Sequence, residues 1–367
     1  MTARTPAART VLISVTAVLV VIGILAVGTA SSFYSMREYG SHTRYLSDHI
    51  VRVIAGVAFA VFISRRPASF LKRLALPVYV ASVVAVAATV ILAGSRFAPE
   101  INGSTRWLVL GMRLLPSDLL RLGFVLLASL LISKGAVDIR SFKGVIAIAA
   151  LALVPSVFTM LQPDLSGTAF TTGVMFVVLF TGGARFKHLG ILMAILLAAG
   201  AAVVVARDDY QLDRIEAVMN GSSLQQEDNY QPLQARITLG SGGTFGRGLG
   251  HSRQKRGFLP EAHTDFILAI IGEESGFAGT FTVLALFGVL FASALSIARN
   301  AASAFEAIAG SGLTAILVTG VMIHTLVNAG VIPVTGMPLP LVSWGGTSMV
   351  VNLACIGAVV SMAGRAQ

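Results

Sequence analysis

The chain has 367 residues, of which 55% are apolar and only 12% are charged. Soluble globular domains carry charge on about a quarter of their residues, so this composition excludes one soluble domain and indicates a polytopic membrane protein. The formal net charge is +10, and its basic residues are divided among short segments between apolar runs. That distribution indicates membrane topology and contact with anionic lipid, and it argues against nucleic acid as a partner.

Ten apolar runs are long enough to cross the hydrocarbon core of a bilayer, which is about 30 Å thick. They predict an all-α polytopic membrane protein with about ten transmembrane helices, folded as a single integral membrane domain over residues 1–367. We expect the eighth run to have a polar, broken entry. In chain order the runs cover residues 10–32, 49–64, 74–93, 119–133, 144–161, 167–182, 187–206, 264–298, 307–329 and 341–363.

Short basic clusters lie between alternate runs, so ten spans place all of them on one side of the membrane. Because Lys and Arg are enriched in cytoplasmic loops, this side is predicted to be cytoplasmic and to hold both termini. The clusters are Arg4 and Arg9, then Arg65, Arg66, Lys72 and Arg73, then Lys134, Arg140 and Lys143, then Arg185 and Lys187, then Arg299, and finally Arg365.

A long polar segment, residues 207–263, separates the seventh and eighth runs and is predicted to form a large extracytoplasmic loop. It begins with charged residues and becomes glycine-rich at "GSGGTFGRGLG" (240–250). No Gly-Lys-Ser/Thr closes this glycine run, so it is not a phosphate loop, and we expect flexible or tightly turned backbone. Since the composition of residues 207–262 cannot bury a core of its own, we expect a binding partner to order them.

The stretch "FLPEAHTDFILAI" (258–270) places Asp265 at the beginning of an apolar run. Partial desolvation there raises the basicity of a carboxylate, so Asp265 is our candidate catalytic general base; the alternative is a helix N-terminal acid. With Asp265, Glu261 and His263 are candidate ligands of a divalent cation such as Mg or Mn, if the chain is extended after Pro260. Otherwise His263 orients Asp265 or contacts substrate, and Glu261 contacts substrate or is a solvated charge.

Arginines gather on the predicted outer side, against the usual bias. Asp118 and Arg121 are three residues apart, so a helix places them on one face as an ion pair. The pair is either a structural salt bridge or part of a substrate site. With Arg106 and Arg113 close by in the sequence, Arg121 indicates an anionic ligand, and a pyrophosphate would satisfy such arginines.

Four further residues are candidate substrate contacts, each with a structural alternative. Asp164 either contacts substrate or caps the sixth span. Arg253 and Lys255, with Arg256, form a basic patch that either binds pyrophosphate or is solvated. Ser343 begins a run of small residues at the last span, where it either contacts substrate or allows close packing.

Two acidic residues, Glu273 and Glu274, lie inside the eighth run. Because an ionisable group within a span is energetically unfavourable, we expect one of them to face the cavity. The alternative is pairing with an interior group such as Arg52 or His324.

Five ordered blocks resemble the signature of the bacterial shape, elongation, division and sporulation family, whose members include FtsW and RodA. The blocks are "NGSTRW…PSDLLR" (102–121), "QPDLSGT" (162–168), "GRGLGHSRQKRGFLPEAHTDF" (246–266), "GEESGFAG" (272–279) and "PVTGMPLPLVSWGGTS" (333–348). The third block is more similar to the division member than to the elongation member. The chain departs from the family pattern in having Asp118 and Arg121 where Glu and Lys are usual, and in the insertion of Ser166.

The resemblance implies a peptidoglycan glycosyltransferase in the bacterial cytoplasmic membrane. Such an enzyme polymerises lipid II into glycan strands at the outer face, together with a class B penicillin-binding protein and other division or elongation proteins. The resemblance also favours a catalytic role for Asp265 and a functional role for Asp164.

Two other functions stay open from the residues themselves. A transporter that flips lipid-linked sugars would also place polar residues in the membrane, although it would favour ionisable groups on both sides of the midplane. A non-catalytic division scaffold would tolerate the loss of Asp265.

Overall fold

The computed structural model describes residues 4–101, 104–109, 111, 113–162, 164–206 and 227–363. Within them, the ten predicted apolar runs correspond one to one with ten helices. These are α1 (Arg4–Tyr39), α2 (Arg44–Ser64), α3 (Ala68–Ile91), α4 (Pro116–Ser133), α5 (Phe142–Leu161), α6 (Leu165–Thr181), α7 (Phe186–Ala206), α9 (Ile267–Arg299), α10 (Ala304–Asn328) and α11 (Gly346–Met362), with the further helix α8 (Glu227–Ser241) between α7 and α9.

The helices confirm a helical polytopic membrane protein. Seven described helices are long and apolar enough to cross a membrane, and three shorter apolar helices cover Ser166–Thr181, Phe186–Ala202 and Gly346–Met362. The total of ten spans therefore stays a prediction. Helix α11 packs against α2, α3 against α4, and α1 against α9, while α10 contacts α4, α6, α9 and α11 at the centre of the bundle.

The described parts of the connections that follow α1, α3, α5 and α10 lie at one end of the bundle, together with the residues just before α9. We call this end the site face. The connection after α3 contains a short antiparallel hairpin of β1 (Leu108–Val109) and β2 (Arg113–Leu114). The backbone N–H of Leu115 donates to Oγ1 of Thr347, 3.0 Å away. This hydrogen bond joins the hairpin to the beginning of α11.

Helix α9 is broken at Gly276, which has φ 71° and ψ −168°. The break leaves carbonyl and N–H groups without partners in the helix, and the glycine-rich segment 242–248 supplies them. Four backbone hydrogen bonds join the two: Arg247 N to Glu273 O (3.0 Å), Gly248 N to Glu274 O (3.0 Å), Phe277 N to Gly243 O (2.8 Å) and Ala278 N to Thr244 O (3.0 Å). The predicted break at the helix entry is therefore wrong in position, because the polar entry is a separate turn before α9.

This backbone-to-backbone contact explains the glycines on both sides of it. A Cβ on Gly276 would overlap the backbone of Gly246, and a Cβ on Gly246 would overlap the backbone of Glu274. Both glycines also have positive φ, which other residues rarely adopt. The glycine-rich segment is thus tightly turned and docked into α9.

Residues 227–262 are folded against the bundle without any partner, so the expectation that a partner must order them is wrong for this part of the segment. Helix α8 packs against α9 and α10. Ala235, Leu259 and Ala262 are fully buried. Their apolar side chains are buried against the transmembrane helices, which removes the need for a separate core. Residues 207–226, which complete the predicted loop, lie outside the described residues.

Candidate active site

Asp265 lies in a turn that leads into α9 at the site face. The carbonyl oxygen of Glu261 accepts from the N–H groups of Thr264 (3.1 Å) and Asp265 (3.0 Å), so this stretch is turned rather than extended. Glu261 itself has φ 52°, a left-handed conformation that is uncommon for a residue other than glycine. The backbone is therefore held in one specific shape just before Asp265.

Three consecutive carbonyls of this turn, those of residues 263, 264 and 265, accept hydrogen bonds from other elements. Such bonds fix the turn against both α10 and the segment that precedes α11. The hydrogen bonds run from Trp344 N to His263 O (3.0 Å), from Ser343 Oγ to Thr264 O (2.7 Å) and from Asn328 Nδ2 to Asp265 O (2.9 Å).

Burial raises the pKa of the Asp265 carboxyl to about 7. The negative charge of Glu261 raises this pKa further, and the positive charge of Arg106 lowers it. Part of the Asp265 side chain remains accessible to solvent. A carboxylate with a pKa near the working pH is well suited to accept a proton in a general-base step.

Arg106 reaches the site from the connection between α3 and α4. Its Nη1 atom lies 3.4 Å from the carbonyl oxygen of Thr335, to which it donates. Gly336 leaves room for the guanidinium, because a Cβ there would overlap Arg106. The Nε atom of Arg106 is buried and has no hydrogen-bond partner in the described part of the chain. Arg106 is therefore a cation beside Asp265 with unused donor capacity.

The predicted ion pair of Asp118 and Arg121 is confirmed. The Nη1 atom of Arg121 lies 2.6 Å from Oδ1 of Asp118, and Ser348 Oγ donates to the other carboxylate oxygen. The Arg121 guanidinium also lies 4.0 Å from the ring centroid of Phe170. Both members of the pair line a small cavity of about 30 Å³, which Arg106 also lines.

This cavity limits what the ion pair can bind directly. Its volume suits ordered water and is too small for a pyrophosphate. Arg121 is only 2% exposed. The geometry therefore favours the structural alternative for Arg121, whereas Arg106 is the arginine whose charge lowers the pKa of Asp265.

Asp164 takes the capping role that the sequence allowed, and its contact with substrate stays a prediction. Its Oδ1 atom accepts from the backbone N–H of Gly167 at 2.9 Å and so caps α6. The side chain is buried and lines the same cavity as Arg121.

Ser343 uses its hydroxyl within the protein, because it donates to Thr264 O and accepts from Leu339 N (2.9 Å). Its position supports holding the Asp265 turn rather than contacting substrate.

The candidate cation site at Glu261, His263 and Asp265 is not assembled. Among the described residues, no three His, Cys, Asp or Glu side chains are placed to hold a metal ion. The predicted site required an extended backbone, and the backbone here forms a turn instead. The His263 ring lies 4.6 Å from the Tyr45 ring centroid and 5.6 Å from that of Trp344, and burial lowers its pKa. Oε2 of Glu261 accepts from Thr264 Oγ1 at 2.9 Å.

The predicted basic patch is divided by the fold. Arg253 is exposed and remains available to an anion. Lys255 is nearly buried, and its Nζ atom donates to the carbonyl of Gly250 (2.6 Å) and pairs with Glu274 (3.4 Å). Lys255 therefore holds the glycine-rich segment, and its role as a pyrophosphate ligand is not supported.

The two acids of the eighth run are both paired, but with groups other than the predicted Arg52 or His324. Glu274 accepts from Thr29 Oγ1 at 3.1 Å in addition to Lys255. Glu273 accepts from the hydroxyl of Ser252 (2.5 Å) and from the backbone N–H of Arg253 (3.2 Å). Both carboxylates thus anchor residues 250–255 to α9.

Two residues at the site were not singled out as site residues from the sequence. Asn328, the last residue of α10, is fully buried and bonded to the Asp265 turn. Arg52 of α2 lies 4.4 Å above the Trp344 ring, and its Nη1 atom is buried without a hydrogen-bond partner in the described residues. An arginine within the apolar run 49–64 was the available signal for Arg52. No local pattern marks Asn328, because its partners are 59 and 63 residues away.

Fold and site together define a polytopic helical membrane protein with an acid-and-arginine site at one face. A family model that covers FtsW, RodA and SpoVE, described as "Cell cycle protein", matches residues 9–367. The chain belongs to this family.

Curated relatives agree with this assignment. A protein of Legionella pneumophila named "Probable peptidoglycan glycosyltransferase FtsW" is 32% identical over 343 residues, which cover 92% of this chain and 86% of that protein. A protein of the same name from Methylomonas methanica is 32% identical over 345 residues, covering 93% and 88%.

Solved structures are similar along almost the whole chain. One belongs to a study of the structural coordination of polymerization and crosslinking by a peptidoglycan synthase complex; it has a TM-score of 0.77 and 28% identity, and the match covers 96% of both chains. The crystal structure of the rod shape determining protein RodA from Thermus thermophilus has a TM-score of 0.69 and 27% identity, covering 96% of this chain and 95% of that one. The expected family and fold are thereby confirmed.

Proposed function

We propose that this protein is a peptidoglycan glycosyltransferase that polymerises lipid II into glycan strands. The site face is then the outer face of the bacterial cytoplasmic membrane, and both termini lie in the cytoplasm. The names of the relatives favour septal synthesis during division over elongation.

The single observation that carries this proposal is the position of Asp265. Its carboxyl has a pKa raised to about 7 and lies in a turn fixed at the site face, next to the positively charged Arg106. A glycosyl transfer from a sugar pyrophosphate requires a base near the acceptor hydroxyl and positive charge near the leaving group. Asp265 and Arg106 supply these two requirements from different elements.

In the proposed reaction, the Asp265 carboxylate accepts the proton of the acceptor sugar hydroxyl. The hydroxyl oxygen then forms the bond to the anomeric carbon of the donor sugar, and the bond from that carbon to the pyrophosphate oxygen breaks. Arg106, together with the exposed Arg253, stabilises the negative charge of the departing lipid pyrophosphate. Asp118, Arg121 and Asp164 support the wall of the site beneath Arg106.

We also propose that the working unit includes a class B penicillin-binding protein, which crosslinks the new strands. The similarity to a chain from a peptidoglycan synthase complex supports this partner. Other proteins of the division complex, or of the elongation complex if the chain acts there, would join the same unit.

The test is glycan polymerisation from purified lipid II by the protein reconstituted in liposomes, alone and with its penicillin-binding partner. A glycosyltransferase produces polymer from lipid II that is supplied at the outer face. A transporter instead exchanges fluorescent lipid II between the two leaflets and makes no polymer. A scaffold does neither, and polymer-free samples of correctly folded protein with its partner would contradict the proposal.

A further inference from the structure

Asn328 connects α10 to both sides of the turn that carries Asp265. Its Nδ2 atom donates to the carbonyl oxygens of Asp265 and His324, both at 2.9 Å. Its Oδ1 atom accepts from the backbone N–H of Ala269 at 3.0 Å. The side chain is fully buried, so both amide hydrogens are used within the protein.

These contacts replace a cap that α9 does not have. Phe266 occupies the N-cap position of α9 and provides no side-chain hydrogen bond. The first N–H groups of a helix require such partners, and Asn328 provides a side-chain acceptor from a different helix for the Ala269 N–H, which also donates to the carbonyl oxygen of Phe266 at 3.0 Å. In addition, it holds the carbonyl of Asp265, which an ordinary helix cap does not need to do.

The same part of the chain also holds Arg106. Its guanidinium donates to Thr335 and lies against Gly336, both in the connection that begins directly after Asn328. The end of α10 therefore fixes the backbone of Asp265, and the connection that follows holds the side chain of Arg106. The distance between acid and cation depends on this shared support.

We propose that Asn328 is a positioning residue for the transfer reaction, which holds the Asp265 carboxylate at a fixed distance from Arg106 and from the acceptor hydroxyl. The inference rests on the proposed function, because it gives Asn328 its role through Asp265. Small displacements of a reacting group reduce turnover strongly, by about 100-fold for 1 Å. Substrate binding depends on other residues and should change little.

The substitution Asn328→Asp separates positioning from helix capping. A carboxylate keeps the acceptor for the Ala269 N–H, and aspartate caps a helix about as well as asparagine. In its ionised form it cannot donate to the carbonyl of Asp265, and in its protonated form it has one donor for the two carbonyls that Asn328 now holds. Capping alone therefore predicts nearly normal turnover, whereas positioning predicts a loss.

The experiment measures kcat and KM for lipid II, and the thermal midpoint, in the full-length protein with its partner. We expect Asn328→Asp to reduce kcat by about tenfold or more and to leave KM within about threefold, since misplacement affects the reacting geometry. The matched control is Asn300→Asp at the other end of α9, where the exposed Asn300 side chain donates to the carbonyl oxygen of Ser296 in its own helix. A second variant, Asn328→Ser, is neutral and keeps one hydroxyl, and it should also lose kcat.

Wild-type kcat in either folded variant, or unfolding of both, would overturn the positioning role. Asp265→Asn is assayed in parallel to separate the two proposals. If Asp265→Asn is inactive while Asn328→Asp is fully active, only the inference about Asn328 fails. If Asp265→Asn keeps wild-type turnover, the proposed function of the site is contradicted, and the inference about Asn328 fails with it.

Discussion

Arg121 and Asp118 form a buried ion pair, with Nη1 of the arginine 2.6 Å from Oδ1 of the aspartate. The hydroxyl of Ser348 donates a hydrogen bond to the second carboxylate oxygen of Asp118, and the Phe170 ring packs against the Arg121 guanidinium. The pair joins α4 to α11 and α6 and lines the same small cavity as Arg106. In sequence, Asp118 and Arg121 could be read as a ligand site. In the structure they are part of the framework that supports the site.

This pairing predicts a large loss of stability in Asp118→Asn. The substitution leaves the Arg121 guanidinium buried without its counter-charge, and breaking such a pair from one side lowers the free energy of unfolding by about 3–5 kcal/mol. Thermal unfolding of the purified protein in detergent measures the effect. Asp48→Asn is the control, because its partner Arg44 is 3.7 Å away and both side chains are well exposed. Equal midpoints in the two variants would contradict the structural role.

Gly276→Ala is expected to release the glycine-rich segment 242–248 from α9. The added Cβ overlaps the backbone of Gly246, and the φ of 71° at position 276 is unfavourable for alanine. Limited proteolysis should then cleave near residues 240–250 faster than in the wild type. Gly288→Ala is the matched control in the same helix, since a Cβ there meets no atom within 4 Å. Identical cleavage rates in all three proteins would show that the docked segment does not depend on Gly276.

Turnover is expected to increase with pH through a midpoint near 7. The pKa of the Asp265 carboxyl is raised to about 7, and only the ionised form accepts a proton. Glu261→Gln removes a negative charge that raises this pKa, so the acidic limb of the profile should move to lower pH. The measurement is polymerisation rate against pH at saturating lipid II, with the exposed Glu100→Gln as control. A shift to higher pH in Glu261→Gln would have the wrong sign for the account.

The sequence is sufficient for the ten apolar helices because a bilayer requires long apolar runs, and those runs are visible without tertiary information. It does not predict the polar helix α8, which lies within the segment expected to be a loop. The i, i+3 ion pair of Asp118 and Arg121 could equally be predicted from the sequence, since both partners lie on one turn of one helix. Asp265 could be proposed because a carboxylate beside an apolar run is unusual. Each of these features depends on neighbours in sequence.

The remaining site depends on contacts between distant segments. Lys255 resembles a surface cation in sequence, but its charge is used by Glu274 of α9. His263 is a candidate metal ligand from the sequence, but the turn at Glu261 places its ring against Tyr45 and Trp344. Two of the three side-chain hydrogen bonds of Asn328 cross about sixty positions of the chain. Periodicity and spacing carry no information about such pairings.

The most direct test of the account is polymer yield from Asp265→Asn, measured with purified lipid II at matched protein and partner concentrations. Asparagine keeps the size and shape of the side chain but cannot accept the acceptor's proton. We expect the variant to fold, to insert and to bind lipid II like the wild type, and to lose polymerisation by about 10²–10⁴-fold, the usual contribution of general-base catalysis. Wild-type polymer yield from a correctly folded Asp265→Asn protein would contradict the assignment of Asp265 as the catalytic base.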